Sequence, residues 1–201
     1  DTWLPTKRRH VRASTSYRYT WMVDNYINPA IGHVPLRRLR ADHLDGLYDQ
    51  LATTGGRHGT GLAPKTVHEV HVIVRSSLDL AIRRQLVDGN VAYATNARHK
   101  RQTRTVPRSW TAAELASFLG SAGHHRLYPA LHLTACTGMR RGEVAGLKWS
   151  DLDRTNQRLS ISRTLQSIAG HPVEFPVKTR TSRRCIDLDD ETMDVLGRWR
   201  R

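Results

Sequence analysis

A chain of 201 residues with 38% hydrophobic content is long enough for one medium or two small folded domains, and nothing in it is collagenous or low-complexity. Its formal net charge of +14 points to a polyanionic partner, nucleic acid first. No apolar run nears the roughly 18 residues of a membrane-spanning helix, the start lacks a signal-peptide pattern, and Cys136 and Cys185 are too few for a disulfide framework, so a reduced cytosolic setting without membrane contact is expected.

Only five of the 32 basic residues are lysines (Lys7, Lys65, Lys100, Lys148, Lys178), a bias attributed mainly to a GC-rich genome. The chain opens on Asp1 and stops at Arg201 inside an apparent helix, so it reads as a fragment.

Residues 1–13 carry Lys7, Arg8, Arg9 and Arg12 against Asp1 alone and read as a basic lead-in to a phosphate backbone. A first helix is predicted over about 14–28, capped by Ser14 or Thr15, with Tyr17, Trp21, Met22 and Tyr26 at helical spacing and a turn at Pro29, Gly32 and Pro35. A second covers about 40–53 with Leu44, Leu47 and Leu51 on one stripe, and Gly55, Gly56, Gly59 and Gly61 then make a flexible loop. The third, about 64–86, is the clearest: Val67, Val70, Val74, Leu78, Ala81 and Ile82 recur in steps of three and four, and Pro64 suits a first turn. Its other side offers Lys65, Thr66 and Arg75 to solvent or DNA. His68 and His71 lie one turn apart, but no third ligand has matching spacing, so a solvated face is preferred and no metal is expected.

From 88 to 109 the periodicity stops. Arg98, Lys100, Arg101 and Arg104, with no acid among them, read as an interdomain linker able to track DNA phosphates. Thr111 and Glu114 then have capping-box spacing for a helix to about 119. Another helix is expected near 127–137. Alternating strands follow over 158–162, 173–175 and 184–188, before a last helix near 189. The layout is mainly α with a small antiparallel β-sheet: an all-α domain (1–87), the linker, and an α+β domain (110–201).

The most informative stretch is Thr137-Gly138-Met139-Arg140-Arg141-Gly142-Glu143-Val144-Ala145-Gly146-Leu147-Lys148-Trp149, followed by Asp151. Arg140 and Glu143 fall one helical turn apart, so the carboxylate can orient the guanidinium, whose planar fork suits a phosphate. Taken alone, such a string is also compatible with an ordinary helix start bearing a surface ion pair. With Leu131 to Cys136 before it and Leu152 after, it resembles the first catalytic-arginine box of the tyrosine recombinases, the phage-integrase family. Asn28-Pro29-Ala30-Ile31-Gly32, Leu36, Leu39 and the 64–86 helix resemble that family's all-helical core-binding domain, which clasps one face of a duplex. The family's Asn-Pro-Ala string appears here as Asn90-Val91-Ala92. Val177-Lys178-Thr179 with Ser182, Arg184, Ile186 and Leu188 is similar to the hairpin bearing the catalytic lysine, and Arg184 is taken to support the strand.

The resemblance implies chemistry without metal or nucleotide cofactor. A tyrosine attacks a DNA phosphate, giving a 3′-phosphotyrosyl bond and a free 5′-hydroxyl. Arg140, with Arg141 beside it at the DNA, would clamp nonbridging oxygens, Glu143 would hold Arg140, and Lys178 would protonate the leaving oxygen. It also implies a specific double-stranded recombination site and a tetramer on DNA when the protein is full length. Yet all six tyrosines precede Arg140, and no histidine starts a His-x-x-Arg string. The polypeptide is therefore expected to bind DNA without cleaving it. The competing readings are a non-catalytic DNA-binding module or truncated decoy that occupies recombination sites, and, more remotely, an RNA-associated protein, which lacks stacking or KH-type motifs.

Overall fold

The structure, a computed structural model, describes residues 2–95, 109–177 and 182–200. The chain divides into two compact units, Asp1–Val106 and Pro107–Arg201.

Among the described residues, the regular elements of the first unit are all helical. Trp3–Arg8 forms α1, Ala13–Met22 forms α2, and the helix continues through a π-helical turn, Val23–Ile27, into α3, Asn28–Ile31. Ala41–Thr54 is α4 and Pro64–Arg83 is α5. Leu44, Leu47, Tyr48 and Leu51 of α4 close on Val67, Val70, Ile73, Val74 and Leu78 of α5, with Met22 and Val23 completing the core. The apolar steps of three and four on both helices thus mark the faces that leave water together.

Several expectations need correction here. The lead-in is not a free basic arm: Trp3 and Leu4 are buried in this core, and Trp3 Nε1 donates to Ser76 Oγ at 3.2 Å. Burial of an indole outweighs the charges beside it. Helix α2 starts at Ala13 after Arg12, and neither Ser14 nor Thr15 caps it. Pro29 does not end the helix: it lies directly behind the π-helical turn, and α3 runs on to Ile31. Helix α5 ends at Arg83, three residues early. Gln85 adopts φ +57° and Leu86 N–H reaches back to Ala81 O at 3.0 Å, which closes the last turn. The loop after α4 is tied back by Leu62 N–H to Leu51 O at 2.8 Å.

Residues 91–94, assigned above to the linker, belong to the first unit. Ala92 is buried in its core, and Asn90 Nδ2 donates to Asp79 Oδ1 (2.6 Å) and Arg75 O (3.0 Å) of α5. His71 is not simply solvated: its Nδ1 lies 3.1 Å from the hydroxyl of buried Tyr48, and its ring stacks on His68.

The second unit mixes helices with short antiparallel strands. Helix α6 is Ala112–Ala122, α7 is Tyr128–Thr137, α8 is Arg141–Ala145 and α9 is Asp190–Arg200. The expected capping box is present: Thr111 N–H donates to Glu114 Oε2 (2.8 Å), and Glu114 N–H donates to Thr111 Oγ1 (3.2 Å).

Strands β1 (Leu152–Asp153), β2 (Arg158–Ile161) and β5 (Arg184–Asp187) make one sheet in the order β1-β2-β5, with Leu159 opposite Ile186 and Ile161 opposite Arg184. Strands β3 (Arg163–Ile168) and β4 (His171–Pro176) form a separate hairpin, closed by Ala169 and Gly170, both at positive φ. Leu133, Met139, Leu159, Ile161, Leu188 and Leu196 form the core. Strands β1 and β3 escaped the sequence reading, since β1 has two residues and the β3 side chains are nearly all half-buried rather than alternating.

Candidate phosphate site

Helix α7 stops because Gly138 takes the left-handed conformation (φ +64°), which costs glycine nothing. Met139 then turns into the core, and its neighbour Arg140 faces out as the residue that caps α8. Arg140 therefore precedes the helix instead of sharing a helical face with Glu143, as expected from the spacing. The contact forms all the same. Glu143 curls back so that Oε2 accepts Arg140 N–H (3.0 Å) and Oε1 accepts Arg140 Nη1 (3.0 Å).

The short helix lies against β3 at very close range. An added Cβ on Gly142 would come within 2.4 Å of Thr164 Oγ1 and 3.1 Å of Leu165 O. Glycine at this position of the box is what lets α8 approach the hairpin.

Arg184, assigned above to strand support, completes the site instead. Its Nη2 donates to Glu143 Oε2 at 3.0 Å and its Nη1 to Oε1 at 3.3 Å. Glu143 is only 4% exposed, and the hydrogen bond from Arg184, followed by those from Arg140, holds its carboxyl down at about 2 although burial pushes the other way. Arg140 keeps 75% of its side chain exposed. One carboxylate between two guanidinium groups leaves this trio with a net positive charge at the wall of a cavity of about 1540 Å³. Arg140, Arg141, Gly142, Thr164, Gln166 and Arg184 line it, as do Val177 and Ser182, the described residues on either side of 178–181. Lys178 itself lies outside the described residues.

Neighbouring charges brace the hairpin. Arg163 joins Asp151 (2.5 Å) and Glu174 (3.2 Å), and Lys148 of the box reaches Glu174 at 2.8 Å. His132, buried on α7, bonds Thr192 Oγ1 of α9 at 3.1 Å. Neither the Arg184 contact nor this one was legible in local sequence, since each joins residues 41 and 60 positions apart.

The candidate DNA-binding residues of the first unit are described within that unit alone. Lys7 Nζ lies over the Trp3 ring (5.9 Å), Arg8 donates to Thr20 Oγ1 (3.2 Å), and Arg75 stacks on Tyr93 (6.0 Å). Arg9, Arg12 and Lys65 are exposed, and Thr66 is half-buried in the first turn of α5. Arg98, Lys100, Arg101 and Arg104 lie outside the described residues. Among the described residues no cluster of histidine, cysteine and carboxylate could hold a metal, and no helix is long and apolar enough to cross a membrane.

Comparison with known proteins bears on this geometry. Residues 1–52 match the profile of the phage integrase N-terminal SAM-like domain. The ICEBs1 integrase of Bacillus subtilis (strain 168) is 24% identical over 143 residues, 70% of this chain and 38% of the relative. Over its first 52 residues the chain is thus similar to the phage integrases, and over most of its length it resembles integrases and tyrosine recombinases. A XerC-like tyrosine recombinase of Caldanaerobacter subterraneus subsp. tengcongensis is 21% identical and is matched over 99% of this chain and 53% of its own length. The chain spans about two fifths to about half of the length of these curated relatives.

The fold is shared with a Tn1549 transposon integrase solved in complex with transposon right end DNA (TM-score 0.76, 19% identity, 98% of this chain and 63% of that one). It is also shared with lambda integrase solved as a tetramer bound to a Holliday junction (TM-score 0.67, 20% identity, 98% and 55%).

Proposed function

We propose that this chain carries the DNA-clasping unit and the first phosphate clamp of a site-specific DNA recombinase or integrase of a mobile element. Its substrate is double-stranded DNA at a specific recombination site, and the full-length protein acts as a tetramer on that DNA in the bacterial cytoplasm. The observation that carries this reading is the guanidinium of Arg140, exposed at a wide cavity yet held twice by a buried carboxylate. Such a group is preorganised for a phosphodiester, because it needs little reorganisation as charge builds on the nonbridging oxygens.

In the reaction proposed, a tyrosine oxygen attacks the scissile phosphorus and the bond to the 5′-oxygen breaks. Arg140 stabilises the crowded phosphorane, Glu143 keeps Arg140 in place, and Lys178 delivers the proton that turns the leaving oxygen into a hydroxyl. Lys7, Arg8, Arg9, Arg12, Lys65, Thr66, Arg75, Arg98, Lys100, Arg101, Arg104 and Arg141 supply phosphate contacts along the duplex. No tyrosine follows Tyr128 in these 201 residues, which favours binding without strand cleavage for this polypeptide taken alone.

The test is salt-dependent binding to a duplex carrying the element's own end against random duplex of equal length. A steep salt slope with tighter binding to the element's end is expected. Equal affinity for both duplexes at every salt concentration would reduce the reading to non-specific polyanion binding.

A further inference from the structure

Arg184 stands where the strand alternation calls for an apolar residue. It pairs directly with Ile161, so it shares the face on which Leu159, Ile161 and Ile186 meet the core, whereas Ser160 and Cys185 point the other way. A charged side chain at such a position is costly unless it finds a matched partner. Its partner is Glu143: the two terminal nitrogens of the fork meet both carboxylate oxygens end-on, Nη2 at 3.0 Å and Nη1 at 3.3 Å, with a third contact from Nη1 to Ser182 O at 3.4 Å. Arg140, by contrast, spends one guanidinium nitrogen and its backbone N–H on the same carboxylate and leaves the rest of its fork to the cavity.

From this geometry we infer that Arg184 is a positioning residue: by gripping both oxygens of Glu143 from β5, it fixes the carboxylate that aims Arg140. This rests on the reading of Arg140 as a phosphate clamp. Its consequence is that the aim of Arg140 depends on the seating of β5, the strand that follows 178–181. A ready phosphate clamp and a seated β5 become one event. Although Arg184 borders the cavity, both terminal nitrogens of its fork are committed to Glu143, so its part is to hold that carboxylate.

The test titrates the chain with inorganic phosphate and follows the arginine Nε–Hε signals by nuclear magnetic resonance. In the unaltered chain the Arg140 signal is expected to move. Arg184→Gln should weaken phosphate binding at Arg140 on the order of fivefold, the size of coupling found within one ion-pair network. Arg184→Lys should recover less than half of that loss, because a single ammonium cannot span two oxygens as the fork does. In a Glu143→Gln background, Arg184→Gln should add nothing further.

Unchanged affinity in Arg184→Gln, full rescue by lysine, or an equal loss in the Glu143→Gln background would each overturn the inference. Where the glutamine variant does not fold, Arg184→Lys alone decides, and an unweakened Arg140 response there overturns it. Arg140→Gln separates the two ideas: if it leaves phosphate binding intact, the clamp reading itself fails. If it abolishes binding while Arg184→Gln does nothing, only the role of Arg184 fails.

Discussion

Arg140 meets Glu143 twice, through its backbone N–H and through Nη1, each at 3.0 Å. The two bonds have different effects. The first satisfies a donor at the entrance of α8 that would otherwise lack a partner, and so belongs to folding. The second restricts a side chain that solvent would leave free, and so belongs to function. A single carboxylate thereby makes the conformation of the box and the aim of its arginine inseparable.

The pH dependence of stability follows from that carboxylate. Glu143 is held at about 2 in the folded chain against an ordinary 4.5, chiefly by Arg184. With a lowered folded value, the unfolded chain binds more protons between these two points, so stability rises with pH through the window. The contribution is complete above 4.5 and vanishes as pH falls toward 2. Glu143→Gln should therefore be less stable than the parent by about 1–2 kcal/mol near neutrality, allowing for the exposure of Arg140. Urea midpoints compared across this window should converge toward its acid end. A gap that stays constant down to its acid end would show that the carboxylate is not held ionised.

Close packing of α8 on β3 gives a second expectation. Gly142→Ala places a methyl group 2.4 Å from Thr164 Oγ1 and 3.1 Å from the backbone oxygen of Leu165. It should cost about 1–3 kcal/mol although alanine is the better helix former. Gly120→Ala in α6, where nothing lies within 4 Å, should instead gain up to about 1 kcal/mol. Thermal melts of the two variants should move in opposite directions. Movement in the same direction would contradict the packing described.

A third concerns the link between α7 and α9. Thr192→Val keeps volume but removes the hydroxyl that bonds His132 at 3.1 Å inside the core. The imidazole Nε2 is then left to the weaker thiol of Cys136 at 3.6 Å, while Nδ1 keeps its 3.5 Å contact with the Tyr128 hydroxyl. A loss of about 1–3 kcal/mol is expected, and hydrogen exchange should rise first in α9. Unaltered exchange would mean that the bond does not hold the helix.

Local features of the chain were readable in proportion to how local their physics is. Thr111 and Glu114 cap a helix through contacts three residues apart, and the α5 stripe needs only its own periodicity, so both could be read directly. The Arg140 box was legible for the same reason, apart from the place of Arg140 ahead of α8. Trp3 and Leu4 were hidden by the charge of their neighbours, because composition reports the surface while burial is decided by the indole. Arg184 was hidden by distance along the chain, since only the pairing of β2 with β5 brings it to Glu143. Lys178 was read from family resemblance, and it lies outside the described residues.

The most direct measurement is the salt dependence of duplex binding for the parent chain and Arg140→Gln, read as the slope of log K against log salt. Loss of one phosphate contact should make that slope shallower by about one and weaken binding at low salt, while the melting temperature stays near that of the parent. Superimposable curves for the two proteins would mean that the Arg140 guanidinium touches no phosphate, and the assignment of this cavity as the phosphate site would be wrong.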